Sequence, residues 1–167
     1  MFARQMRATI GLPLALALGL ALSACARNNA DQTAAGAGYA AAGPGSVQDF
    51  NQTVGDRVFF DTDSTDLTPT ATATLDKQAA WLGQYNRYSF TVEGHADERG
   101  TREYNFALGA RRAQTVHDYL VAKGVSASRM KTISYGKERP VAVCDDISCW
   151  SQNRRAVTVL NGAPGSS

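Results

Sequence analysis

The sequence predicts an α/β (α+β) domain with the element order β-α-β-α-β-β, its helices packed on a mixed four-stranded sheet. Three observations carry that expectation. Between residues 47 and 162, short β-rich runs alternate with stretches of helical periodicity. Apolar residues make up 44% of the 167, enough for a real core in one domain of ordinary size. No internal repeat is visible, and no stretch is long and apolar enough to span a bilayer as a stable helix.

Val58-Phe59-Phe60 is the first strand, ended by the turn-forming Asp61-Thr62-Asp63-Ser64. Thr68-Pro69 starts a helix, with a capping hydroxyl followed by proline at the first helical position. Leu67, Ala71, Leu75, Ala79 and Leu82 follow at helical spacing. Tyr88 to Val92 is the second strand, and Glu93 to Arg102 the loop after it. Residues 103–123 form a second helix with Phe106, Ala110, Ala113, Val116 and Leu120 as its buried stripe, ended by Gly124. Met130 to Tyr135 is the third strand. A loop leads to the fourth, Ala156 to Leu160, after Asn153-Arg154-Arg155.

The first twenty-four residues read as an export signal. Arg4 and Arg7 precede an almost wholly apolar run, Ile10 to Leu22, of secretory length. The run ends in Leu22-Ser23-Ala24-Cys25, which resembles the lipobox of bacterial lipoproteins. That resemblance implies lipidation of Cys25 and cleavage before it. One acyl chain holds a protein only marginally, at ~0.8 kcal/mol per buried CH₂, whereas two or more anchor it stably. The alternative is a plain signal peptide with a chance cysteine. Ala26 in place of aspartate implies, by the sorting pattern of Gram-negative lipoproteins, an outer-membrane anchor with the domain in the periplasm. Residues 25–46 read as the lipidated cysteine and a flexible Ala/Gly-rich linker, since Gly36, Gly38, Gly43 and Gly45 oppose an alanine helix. Such a coil spans ~25 Å. Residues 47–162 form the domain, and 163–167 a disordered tail.

The chain carries 17 Lys and Arg against 15 Asp and Glu. Removing 1–24 takes away Arg4 and Arg7 and no acid, so the remainder is formally neutral. That balance excludes a nucleic-acid reader working by bulk charge. Cys144 and Cys149 lie five apart in the last loop, where an oxidising compartment favours a disulfide; a metal pair is the alternative, without nearby Cys or His to complete it.

The chemistry concentrates in Val92-Glu93-Gly94-His95-Ala96-Asp97-Glu98-Arg99-Gly100-Thr101 and in the helix start Tyr104 to Ala113. Ligand loops commonly follow the C-terminal ends of strands in such sheets. Asp97 and Arg112 are therefore expected to face one cleft with charges of opposite sign. They suit a zwitterion, ammonium against Asp97 and carboxylate against the two-pronged guanidinium of Arg112. Residue 111 sits about 100° around the helix from 112, so only one of the two arginines points inward.

These segments strongly resemble the OmpA-like peptidoglycan-binding domain. The resemblance is carried by Phe60-Asp61, the 92–101 motif, Tyr104-Asn105, Leu108-Gly109, Arg111-Arg112-Ala113, Ser134-Tyr135-Gly136-Lys137-Glu138-Arg139-Pro140 and Asn153-Arg154-Arg155-Ala156-Val157. It covers most of residues 56–160. It implies non-covalent binding of the peptidoglycan stem peptide at diaminopimelate, with Asp97 on the ammonium and Arg112 on the carboxylate. Phe60, Asp61, Gly94, His95, Ala96, Thr101, Asn105 and Leu108 would shape the pocket or bind through their backbone. Resemblance to the lipoprotein members that work with the Tol proteins further implies a role in envelope integrity and outer-membrane invagination during division. It also implies a second partner, the periplasmic β-propeller protein TolB, with other Tol components. The cysteine pair departs from the family's pattern.

Plainer readings stand beside these. Asp97 alone suits a turn that bonds local backbone, and Arg112 a solvated helix charge. Arg154 and Arg155 read as surface charges, with a second contact to acidic groups of the wall as the alternative. A hydrolase or a purely protein-binding envelope module are the competing functions. The first lacks a nucleophile with an oriented base at any visible spacing, and a catalytic zinc needs three ligands where His95 has only His117 for histidine company. No cofactor, metal or nucleic acid is expected.

Overall fold

The computed structural model describes residues 43–162; the expected signal, Cys25, most of the linker and the tail lie outside the described residues. A helical turn, α1 (Val47–Asp49), opens the domain and winds on as a π-helical segment, Phe50–Gly55. The sequence predicts no element there. Its anchors are a ring and a carboxylate. Phe50 is fully buried with its centroid 4.9 Å from that of Trp81, and Asp49 accepts the Trp81 indole N–H at 2.9 Å. Gly45 is buried as well, its carbonyl accepting the Tyr88 hydroxyl at 2.8 Å and Arg87 Nη2 at 2.6 Å.

Apart from a short helix before the last strand, the remaining elements follow the expected alternation. They are β1 (Arg57–Phe59), α2 (Pro69–Gln84), β2 (Phe90–His95), α3 (Arg102–Ala122), β3 (Met130–Gly136), α4 (Ile147–Asn153) and β4 (Arg155–Leu160). Thr68 caps α2 by accepting from the Ala71 N–H, with Pro69 in its first turn. Gly124 turns the chain out of α3 at φ +90°, where the Val125 N–H reaches the Leu120 carbonyl.

The strand order is β1-β4-β2-β3. β2 and β3 run parallel and are joined through α3, because parallel neighbours need a long crossover. β4 enters last and lies antiparallel between β1 and β2, pairing Val157 with both Arg57 and Glu93. The sheet is therefore mixed, as expected. Alternation along β2 turns Phe90, Val92 and Gly94 to the helices. Against Phe90 and Val92 pack Leu75 and Leu82 of α2 and Ala113, Val116 and Leu120 of α3. Each such large side chain contributes ~1.5–3 kcal/mol by leaving water.

Two expectations fail at α3 and in the last loop. Phe106 and Ala110 are exposed, Phe106 to 57%. The inward face of the first half of α3 is instead Asn105, Leu108, Gly109 and Arg112. The cause is a backbone-to-backbone approach. A Cβ on Gly94 would stand 1.8 Å from the Gly109 carbonyl oxygen, so α3 lies directly on β2 only because both positions are glycine. That seating rotates the helix away from the apolar periodicity. The loop before β4 also contains α4, too short for its periodicity to be read. Asp146 caps it, and Cys144 and Cys149 are joined by a disulfide across its first turn. The metal-pair alternative falls with that bond, since neither sulfur is a free thiolate.

Candidate functional site

β2 continues three residues further than expected, to His95, and so delivers Ala96-Asp97 at the top of the sheet. The chain then turns through Gly100, at φ +87°, where a side chain would be strained, into Thr101. Thr101 caps α3 by accepting the Tyr104 N–H. Two side chains hold the loop in place. Asn105, almost wholly buried, donates to the Arg99 carbonyl at 2.7 Å, and Lys137 donates to the carbonyls of Glu98 and Gly100 at 3.1 and 2.6 Å.

Between this loop, the 62–63 turn, α3 and the start of β4 lies a cleft of about 210 Å³. Asp97, Asn105, Leu108 and Arg112 line it as expected, together with Asp63, Arg99, Tyr104 and Arg154. Asp97 and Arg112 thus share one cavity, and Arg111 is exposed.

Arg112 is fully buried, and its guanidinium is heavily engaged. Nε donates to the Ser64 carbonyl at 3.0 Å, Nη1 to that of His95 at 2.8 Å, and Nη2 to that of Asp61 at 3.1 Å. Three of its five N–H groups are spoken for, so a ligand carboxylate meets only what remains. Burial, and then the charge of Arg154, push its pKa down to about 10, still far above neutrality. Phe60 lies beneath it, ring centroid 5.1 Å from the guanidinium carbon.

Asp97 is also buried, and already paired. Arg99 approaches it with Nη2 on Oδ2 at 2.6 Å and Nε on Oδ1 at 3.2 Å. Arg154 Nη1 stands 3.4 Å from the same Oδ2. Burial alone would raise the Asp97 carboxyl, but the bonds from Arg99 and Arg154 outweigh it and hold it below the ordinary value. The carboxylate therefore stays charged through the neutral range.

The surface reading of Arg154 and Arg155 is overturned: they are 7% and 4% exposed. Arg154 also donates to the Phe60 carbonyl at 3.1 Å, which fastens the first strand to the site. Arg155 reaches the carbonyls of Asn153 and Arg139. A long run of polar residues before β4 hid this, because charge in sequence is normally solvated. The pairing of Asp97 by Arg99 was equally hidden, although i to i+2 proximity in a turn permits it. Tyr104 and Asp63 were not expected either; the tyrosine hydroxyl donates to that carboxylate.

The other expected residues sit around the cleft in different roles. Phe60 and Asp61 line a neighbouring depression that shares Arg154. Gly94 is spent on the helix contact, and Ala96 donates its N–H to the Gly136 carbonyl at 2.8 Å. Thr101 is a helix cap. The His95 ring is buried against Tyr135, centroids 5.6 Å apart; neither ring nitrogen has a hydrogen-bond partner, and Nε2 stands 3.7 Å from Glu93 Oε2. Burial first, then the charges of Arg155 and Arg139, push its pKa down to about 4.

A profile of the OmpA family matches residues 59–154. The chain belongs to the OmpA family. Two curated relatives are similar over nearly their whole length. The "Peptidoglycan-associated lipoprotein" of Rhizobium meliloti is 66% identical over 153 residues, covering 90% of this chain and 87% of that protein. The protein of the same name from Brucella melitensis is 58% identical over 167 residues, covering 96% and 98%. Among solved structures, the peptidoglycan-associated lipoprotein of Burkholderia pseudomallei matches with a TM-score of 0.62 and 40% identity, over 64% of this chain and 90% of that one. The C-terminal domain of Helicobacter pylori MotB reaches a TM-score of 0.61 at 22% identity, over 65% and 86%, which is a likeness of fold. The OmpA-family match runs from the last residue of β1 to Arg154, just before β4, and so includes every cleft residue named above.

Proposed function

We propose that this chain is an envelope lipoprotein that holds peptidoglycan without covalent attachment, through the doubly charged end of diaminopimelate in the stem peptide. One observation carries the reading. Asp97 and Arg112 line a single cleft in a chain 66% identical to a peptidoglycan-associated lipoprotein. The ammonium of the ligand goes to Asp97, whose charge persists at neutral pH. Its carboxylate goes to the arginine side of the cleft. Charge-assisted contacts of this kind are worth ~1.5–3 kcal/mol each.

Anchored by lipid on Cys25 and tethered through the Ala/Gly segment, the domain ties the outer membrane to the wall and faces the periplasm. Binding that reverses lets the cell constrict during division without tearing the membrane. Resemblance to the Tol-linked lipoproteins supports TolB and other Tol components as further partners on an overlapping surface. Relatives named for their association with peptidoglycan support binding over cleavage.

Co-sedimentation with purified sacculi tests the proposal. Wild type is expected to pellet, and a folded Asp97→Ala variant to stay in solution. Equal pelleting of the two contradicts the assignment of the cleft, and release of soluble wall fragments points to a hydrolase instead.

A further inference from the structure

Arg99 is the one cleft guanidinium free to leave. Arg112 is held by three backbone carbonyls and Arg154 by the carbonyl of Phe60, and both are buried. No such backbone bond holds the Arg99 guanidinium, whose side chain is 42% exposed. It covers both oxygens of Asp97, the place where a ligand ammonium would dock. On its other side, its guanidinium carbon stands 4.3 Å over the ring of Trp150.

Trp150 is itself fixed. Its indole N–H donates to Glu98 Oε1 at 2.7 Å, and it projects from α4, whose first turn is closed by the Cys144–Cys149 disulfide. A guanidinium on an aromatic face is stabilised by roughly 0.5–2 kcal/mol, depending on how dry the contact is. Arg99 therefore keeps a foothold at the rim that does not depend on Asp97.

Resting on the cleft's reading as a zwitterion site, we propose that Arg99 stands in for the ligand's ammonium in the free protein and sets the site's selectivity. An arriving ammonium takes over Asp97, and Arg99 lets go of the carboxylate while keeping its place on the Trp150 face. There the guanidinium borders the bound ligand and meets its carboxylate. A ligand with only an amine exchanges one cation for another on Asp97 and gains little. A ligand with an amine and a carboxylate on the same carbon keeps that exchange and adds the Arg99 contact. Trp150 is a positioning residue in this scheme.

The test is a calorimetric titration of the full-length protein in detergent with two stem peptides, one containing diaminopimelate and one containing lysine. Wild type is expected to favour the first. In Arg99→Gln, which removes the competitor and the added contact, the lysine peptide should bind ~10-fold tighter while the diaminopimelate peptide changes little. Trp150→Leu should weaken the diaminopimelate peptide several-fold, and Trp150→Phe, which keeps an aromatic face, should restore it. Equal shifts for both peptides in Arg99→Gln, or unchanged selectivity, overturn the role of Arg99 and leave the zwitterion reading standing. Failure of wild type to bind either peptide overturns both.

Discussion

Replacing Arg112 by lysine keeps the charge and removes the fork. In the native cleft, the guanidinium satisfies three carbonyls that lie in three directions, those of Asp61, Ser64 and His95. An ammonium at the end of a flexible stem can keep one of them. A buried acceptor left without a partner costs ~1–3 kcal/mol. The carbonyls of Asp61 and Ser64 belong to residues that solvent touches, so the lower part of that range applies to them. The sum is a destabilisation of ~3 kcal/mol, equivalent to a fall of roughly 10 °C in the unfolding midpoint for a domain of this size. Circular dichroism melting of Arg112→Lys beside Arg111→Lys, a change at an exposed neighbour, reads it directly. Matching midpoints for the two variants would refute the claim that Arg112 braces the first turn, the β2 end and α3. Ligand affinity should fall as well, because the guanidinium N–H groups not used on the backbone are lost with the fork.

Gly94→Ala forces α3 off β2, since its Cβ meets the Gly109 carbonyl; a denaturation midpoint equal to wild type would contradict the close approach. His95 is held neutral with its pKa lowered from 6.5 to about 4, so its contribution is full above pH 6.5 and is lost as pH falls to 4. His95→Leu should show a shallower loss of stability over that window, and equal slopes would count against a buried neutral ring. Removing the Cys144–Cys149 bond by double serine substitution should cost ~2 kcal/mol on loop-closure grounds and speed amide exchange in α4; unchanged exchange there would show that the bond braces nothing. Cys25→Ser should release the chain into the soluble periplasmic fraction, and persistent membrane association would remove the lipid anchor.

Much of the fold was legible in the sequence because its signals are local. The Thr68-Pro69 start of α2, the glycine end of α3 and the β-rich runs each depend on residues within one turn of one another. Asp97 and Arg112 were legible as a pair because the end of β2 and the start of α3 are joined by a short loop. What escaped depends on distant partners. The face of α3 is set by Gly94 meeting Gly109 across the sheet, and not by its own apolar period. Arg154 is drawn inside by Asp97, fifty-seven residues earlier, which no periodicity records. The α1 turn owes its place to Trp81, thirty-two residues on. In the cleft, the sequence suggested that Arg112 was free to grip a ligand with both prongs, whereas much of its donor capacity is turned toward the backbone.

The proposed function depends on the cleft recognising both charges at the end of one side chain. The direct measurement is the affinity of the wild-type protein for a diaminopimelate stem peptide against the same peptide with lysine, which lacks only the terminal carboxylate. The first is expected to bind at least ~10-fold tighter, the worth of one shielded charge-assisted contact. Equal affinities would mean that no arginine of the cleft reads that carboxylate, and would contradict the proposed function.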